Sequence, residues 1–220
     1  MYDGPKREFV YAPPAGKIPI VHRGEDYLII DKPAGLLSVP GKHDPDCVEA
    51  RLRAVHPDAL TIHRLDMATS GLMVFALTPH AQRHFGLQFE NRQVQKTYVA
   101  RVGGIVDGEG GIIDEPLIAD WPNRPRQKVC YEHGKSAVTE WRVSSREDDV
   151  TRMTLYPKTG RSHQLRVHMA WLGHPILGDM IYAPDPLFLA ADRLQLHAQK
   201  IRFREPTGGA WVEYEVPAPF

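Results

Sequence analysis

His63-Arg64-Leu65-Asp66-Met67-Ala68-Thr69-Ser70-Gly71 runs directly into Leu72-Met73-Val74-Phe75-Ala76-Leu77. A polar stretch therefore ends at an apolar run of strand length bounded by turn residues, which reads as a buried strand. Asp66 is the single acid between Leu60 and Phe89. A carboxylate alone among basic and apolar neighbours is costly to hold unless something pairs with it. Two readings stand side by side. One is a turn aspartate before a strand, since Asp makes local hydrogen bonds in turns. The other is a nucleophilic or general-base carboxylate held by a cation from elsewhere in the chain.

Working outward, Tyr27 to Ile30 is a second short apolar run, followed by the turn signal Asp31-Lys32-Pro33-Ala34-Gly35 and an extended Leu36 to Val39. Val48, Leu52 and Val55 recur at helical spacing with Asp46 as candidate cap. Beyond the opening stretch, Thr78-Pro79 reads as an N-cap followed by proline at the first helical position, with Ala81, Phe85 and Phe89 on one face to about Asn91. Gln95 to Val106 is strand-like and Gly108 to Gly111 a loop. Lys128 to Glu132 and Ala137 to Val143 read as a strand pair around His133-Gly134-Lys135. Thr151 to Tyr156 is a further strand. Ser162 is a candidate cap for a helix reaching Leu172, striped by Leu165, Met169 and Leu172 and stopped by Gly173. Leu194 to Phe203 and Trp211 to Val216 close the chain as strands. Many strands and few helices, not regularly alternating, predict an α+β fold.

Of the 220 residues 42% are hydrophobic, enough for a sizeable core and against disorder. Residues 1–19, with Pro5, Pro13, Pro14 and Pro19, read as an N-terminal arm, and 20–220 as the main domain, with no internal repeat. No apolar run reaches the ~20 residues of a membrane helix, and Met1 to Lys17 has no signal-peptide core. Cys47 and Cys130 lie far apart and form no ligand pair. These features predict a cytoplasmic protein without membrane attachment. A monomer is expected, because no long exposed amphipathic stretch stands out.

Lysine plus arginine equal aspartate plus glutamate, 27 each, so net charge does not advertise a nucleic-acid binder. The distribution says more. Asn91 to Val106, Trp121 to Tyr131 and Lys158 to Gly178 contain no acid, while acids gather at Asp107 to Asp120 and Glu147 to Asp149. Such segregation permits a basic face on a neutral protein; scattering over the surface is the alternative.

Three pieces could make one site. The first is Asp66 beside Arg64. The second is Lys96-Thr97-Tyr98, an aromatic hydroxyl on a strand next to a cation. The third is Thr159-Gly160-Arg161-Ser162-His163-Gln164-Leu165-Arg166-Val167-His168, where a turn entering a helix offers backbone N–H groups to an anion and His163 and Arg166 share a face. Singly none is specific: Tyr98 fits a core strand, Arg166 a surface ion pair, and His168 ordinary packing. His163 and His168 are not at the i, i+4 spacing of a helical metal pair.

Together they resemble the RluA-type pseudouridine synthases. The likeness is carried by Lys32-Pro33-Ala34-Gly35-Leu36, by His63-Arg64-Leu65-Asp66 with Thr69-Ser70-Gly71, by Lys96-Thr97-Tyr98, and by Gly160 through His168. Gly173-His174-Pro175-Ile176-Leu177-Gly178-Asp179 and Leu194-Gln195-Leu196-His197-Ala198 add to it, so that it spans about residues 20 to 217. The resemblance implies a mixed, largely antiparallel central sheet flanked by helices with a central RNA-binding cleft, no room for an N-terminal S4 domain, and isomerisation of uridine to pseudouridine in RNA. It implies Asp66 as catalytic carboxylate, Arg166 as its paired arginine and Tyr98 as the tyrosine stacked on the base. It further implies Arg64 filling the space of an extruded base, and His63, Arg161, His163 and Leu196 lining the substrate. No metal or cofactor is implied. The segment Asp120 to Pro125 with Val129 to Glu132 narrows the likeness to a branch that modifies a 23S ribosomal RNA hairpin and a tRNA anticodon loop. The competing reading is an RNA-binding or RNA-folding protein with a vestigial pocket, although Asp66, Tyr98 and Arg166 are all present. A metal-dependent hydrolase ranks third.

Overall fold

The computed structural model describes residues 7–220. Residues 1–6 of the expected arm lie outside the described residues, and 7–19 carry no helix or strand. In chain order the elements are β1 (Ile20–Arg23), β2 (Tyr27–Lys32), α1 (Val48–Arg53), β3 (Leu60–Thr61), β4 (Ser70–Ala76), α2 (Pro79–Glu90) and β5 (Gln95–Gly103). There follow β6 (Gly110–Asp114), β7 (Leu117–Ala119), a 3-10 turn (Trp121–Asn123), β8 (Gln127–Val129), β9 (Val138–Glu147) and β10 (Val150–Pro157). The chain ends with α3 (Gln164–Trp171), α4 (Asp185–Leu189), β11 (Leu196–Arg204) and β12 (Trp211–Glu215). The fold is α+β, as expected. The described residues form two compact units, one of 10–96 with 197–219, the other of 97–196 with 7–9 and Phe220.

In the first unit β4 is central, and every one of its residues is buried. It pairs antiparallel with β2 and parallel with β11, while β1 extends β2, β3 adds to β4 and β12 adds to β11. Alternate residues Tyr27, Ile29, Leu72, Val74 and Ala76 face one core with Ile201 and Phe203, closed by Ala81 and Phe85 of α2. Tyr27, Phe85 and Phe203 meet edge to face at ring separations of 5.0–5.8 Å, a geometry that adds about 0.5–1.5 kcal/mol per pair beyond area burial. Gly71 explains the end of the opening motif. Its φ is +112°, and a Cβ there would lie 2.4 Å from the Ala198 carbonyl oxygen. Only glycine lets β4 come this close to β11.

In the second unit β5, β10, β9 and β6 form an antiparallel sheet and β7–β8 a separate ribbon. The helix α3 packs Val167 and Ala170 with Leu117, Ala137 and Tyr182.

Several expectations need correcting. The cap of α1 is Cys47, whose Sγ accepts from the Ala50 N–H. Asp46 is instead held by Arg51 through two hydrogen bonds of 2.7 and 2.6 Å, which leaves it no role at the cap. Leu36 to Val39 is not a strand; Leu37 serves α1, its carbonyl accepting from the Val48 N–H. The supposed pair Lys128–Glu132 with Ala137–Val143 does not form. β8 turns back on β7, and β9 pairs with β6 and β10. The loop at Gly108 to Gly111 gives way to β6, whose glycines sit against Trp141 of β9. Thr78 does cap α2. Ser162 does not cap α3; His163 occupies that position with φ of +55°.

Candidate active site

In the first unit Asp66 lies half-buried in the loop between β3 and β4, and Arg64 is exposed. The backbone on either side of Asp66 is pinned. Ser38 Oγ donates to the Leu65 carbonyl at 2.7 Å and accepts from the Leu65 N–H at 3.1 Å. The Met67 carbonyl accepts from the Gly35 N–H at 2.9 Å and from Lys32 Nζ at 2.9 Å. Lys32 is fully buried and also donates to the carbonyls of Pro33 and Leu36, at 2.8 and 2.7 Å. A buried ammonium is tolerated only when solvated by groups of this kind. Its effect is to fasten the Lys32-Pro33-Ala34-Gly35-Leu36 turn to the loop that carries Asp66. The sequence likeness singled out that turn but assigned Lys32 and Ser38 no task, because a contact across 35 residues leaves no local pattern.

His63 holds the other end of the loop. Its Nε2 accepts from the Val74 N–H at 2.9 Å, standing in for a strand carbonyl beside β4, and its ring stacks on Phe89 at 4.8 Å. Burial, reinforced by the nearby Lys96 ammonium, pushes its pKa down to about 3. The ring is therefore neutral at physiological pH, the state required of an acceptor nitrogen. Burial lowers Lys96 as well.

In the second unit Tyr98 is half-buried on β5, opposite Leu155 of β10. Leu196 opens β11 and is buried. Arg166 projects from α3 and is only 4% exposed. Its Nε and Nη2 each lie 2.7 Å from an oxygen of Asp179, whose carboxylate also accepts from the N–H groups of Ile181 and Tyr182. Burial would raise Asp179, yet the guanidinium and these N–H donors win and hold its carboxyl below the ordinary range. The Arg166 Cζ stands 5.2 Å from the Tyr182 ring centroid. Asp179, the observed partner of Arg166, was not singled out by sequence reasoning; the signal was its place at the end of Gly173-His174-Pro175-Ile176-Leu177-Gly178-Asp179. Gly178 has φ of +71° and no room for a Cβ against the Arg193 carbonyl, which sets the turn that delivers Asp179.

The entry to α3 differs from expectation. One of its N–H groups is engaged within the turn: Arg161 donates its N–H to Gln164 Oε1 at 3.0 Å, and its Nε reaches the Ser136 carbonyl. His163 precedes the helix in a left-handed conformation, which costs about 1–2 kcal/mol for a non-glycine residue. Its Nδ1 is 2.8 Å from the Tyr182 hydroxyl. So His163 and Arg166 do not share a helical face, but both contact Tyr182. The buried polar residues of α3 are fully engaged. Gln164 bonds Thr159, Thr139 and the Val138 carbonyl. His168 takes the Thr139 hydroxyl at Nδ1 and reaches the Glu115 carbonyl from Nε2. With both nitrogens occupied, and burial lowering its pKa, His168 is a structural imidazole rather than a ligand. The helix stripe was read too narrowly, since residues Gln164 to Ala170 are all buried.

Comparison with known proteins gives a consistent answer. Residues 26–171 match the family model described as RNA pseudouridylate synthase. The chain is 51% identical over 204 residues to the dual-specificity RNA pseudouridine synthase RluA of Yersinia pestis, covering 91% of this chain and 99% of that one. Its counterpart in Escherichia coli K12 is 48% identical, covering 91% of this chain and 93% of its own. Among solved structures, human RNA pseudouridylate synthase domain containing 1 superposes with a TM-score of 0.79 at 28% identity, covering 95% of this chain and 87% of that one.

Proposed function

Since the chain belongs to the RNA pseudouridylate synthase family, we propose that it isomerises uridine to pseudouridine with Asp66 as the reacting carboxylate, served by Arg166 and Tyr98. The observation that carries this reading is the family match over residues 26–171, a span that contains all three. The reaction breaks the C1′–N1 bond, turns the uracil and joins C5 to C1′. Atoms and electrons balance within the substrate, so the reading calls for no cofactor or metal. Whether the carboxylate attacks C1′, adds to the base or takes a ribose proton, it must be ionised and fixed beside the sugar. The pinning of Leu65 and Met67 supports that role, because it holds the backbone on both sides of Asp66.

Arg166 is the guanidinium that favours the charged carboxylate, and the Asp179 fork fixes its orientation. Tyr98 packs on the target base and removes the C5 proton late in the reaction. The base must leave its stack to reach these groups. Arg64 fills the vacated position, where a planar guanidinium stacks and hydrogen-bonds at once. Leu196 lines the pocket, Arg161 and His163 contact the RNA, and His63 acts from behind by holding the loop.

The relatives are named dual-specificity enzymes, and the reading takes from the sequence resemblance the two RNA classes, a 23S ribosomal RNA hairpin and a tRNA anticodon loop, met by a cytoplasmic monomer. Among the described residues no helix is long and apolar enough to cross a membrane. The test is a map of pseudouridine across total RNA from cells with and without the gene. Loss of sites in both RNA classes is expected; an unchanged map overturns the assignment.

A further inference from the structure

The β7–β8 ribbon ends in Trp121-Pro122-Asn123-Arg124-Pro125-Arg126, and its tip has an unusual composition for an exposed turn. Trp121 is 66% exposed. The Arg124 guanidinium lies over its ring, Cζ 3.2 Å from the centroid. With Arg124 on the ring, two thirds of the residue is still in solvent. Tryptophan is among the residue types in which binding energy concentrates at interfaces.

The tip is also rigid. Asp120 donates its N–H to the Arg126 carbonyl, Asn123 donates to the Asp120 carbonyl and Arg126 to the Asn123 carbonyl, all at 2.9–3.0 Å. The Asp120 carboxylate accepts from Asn123 Nδ2 at 2.8 Å and meets Lys128 at 3.4 Å. The Asn123 bond is the main cause that lowers its pKa. The root is anchored where the Gln127 N–H donates to the buried Tyr182 hydroxyl at 2.8 Å. The acid of the tip is thus consumed internally, and from Trp121 to Tyr131 no other acid follows. What remains outward is the exposed indole with Arg124 laid on it, on a ribbon that also carries Arg126 and the half-exposed Lys128.

We propose that this tip is a stacking platform on which Trp121, backed by Arg124, receives one unpaired base of the RNA other than the target uridine. The proposal rests on the RNA-modifying reading above and adds a second point of contact to it. An aromatic face accepts any base, and neighbouring cations take the flanking phosphates. An apolar protein partner would not favour a guanidinium laid on the ring, and a duplex would not present a base face. Rigidity matters because a preformed platform loses little side-chain freedom on binding. The platform would explain how loop RNAs of differing sequence are held in one register: it reads an unstacked base rather than its hydrogen-bonding edge.

The test uses the full chain, its Trp121→Leu variant and a synthetic anticodon stem-loop RNA. Trp121 is one of four tryptophans, so the difference between the two proteins isolates its fluorescence. That difference signal should be quenched by RNA, and Trp121→Leu should bind between about fivefold and a hundredfold more weakly, the range expected for one base stack. A series of RNAs, each abasic at one unpaired position, then locates the base. One abasic site away from the target should weaken wild-type binding and leave the variant indifferent. Unquenched Trp121 emission, or an abasic series that affects both proteins equally at every position, overturns the proposal. Pseudouridine formation by the wild-type protein is read separately in the same samples, so failure of the enzymatic reading is distinguished from failure of the platform.

Discussion

Arg166 and Asp179 interlock as a fork, two nitrogens against two oxygens at 2.7 Å each, with side chains 4% and 0% exposed. Neither group is isolated from the chain around it. Asp179 also takes two backbone N–H bonds, and Arg166 lies over the Tyr182 ring. A guanidinium aimed from two sides is pre-oriented, and a pre-oriented cation stabilises developing charge without reorganising.

Breaking the fork is therefore expected to be expensive. Asp179→Asn removes the forked charge partner of a buried guanidinium, at a cost of about 3–5 kcal/mol in urea unfolding. The sign with pH follows from the depressed carboxyl. The pair's contribution is complete above the ordinary aspartate value of 3.8 and fades as pH falls through the lower folded value. Asp179→Asn should lack that acid-limb loss. A variant as stable as wild type at neutral pH would show that the fork is dispensable.

Asp66→Asn should abolish product while RNA affinity stays within a few-fold. The expected loss in kcat is on the order of a thousandfold or more, the scale seen when a reacting group is removed. Single-turnover assays with saturating enzyme separate this from weak binding, and persistent turnover would remove Asp66 from the chemistry.

Lys32→Met should lower kcat more than it changes RNA affinity, because Lys32 acts on Asp66 through the Met67 carbonyl. It should also destabilise, since losing the donor to the Leu36 carbonyl in a buried setting costs about 1–3 kcal/mol. Lys32→Arg should not restore activity, because a planar fork cannot replace a compact donor among three carbonyls. Wild-type kcat in either variant would sever the link between the two loops.

His63 is held neutral, with a folded pKa of about 3 against an ordinary 6.5. The unfolded chain binds the proton first, so stability is full above 6.5 and declines as pH falls towards 3, by up to about 1.4 kcal/mol per unit. His63→Gln should flatten that slope. An NMR titration in which the His63 ring protonates near 6.5 would contradict the assigned role.

Gly71→Ala should prevent the β4–β11 pairing, because the new methyl would meet the Ala198 backbone. A loss above about 4 kcal/mol, or no soluble folded protein, is expected. Gly86, exposed on α2 with open space around it, is the control. Gly86→Ala should be neutral or stabilising by up to about 1 kcal/mol.

Periodicity and turn chemistry were enough to read β2, β4, β5, β10, β11, β12 and α2, and the Thr78 cap with Pro79 behind it, because those signals are local to the segment that displays them. The motif likeness was enough for the family. The strand partners were not legible: Lys128 to Val129 turns back to Leu117 and Val138 pairs with Asp114, choices made by contacts that short-range pattern does not encode. The same holds inside the site. Sequence alone determined that Asp66 is a lone acid in a marked motif and that Arg166 follows a Gly-Arg-Ser turn. Only the tertiary structure decided that Ser38 and Lys32 clamp the loop of the first and that Asp179 grips the second. The physical reason is that burying a polar group demands a partner, while nothing in the demand says how far along the chain that partner must be.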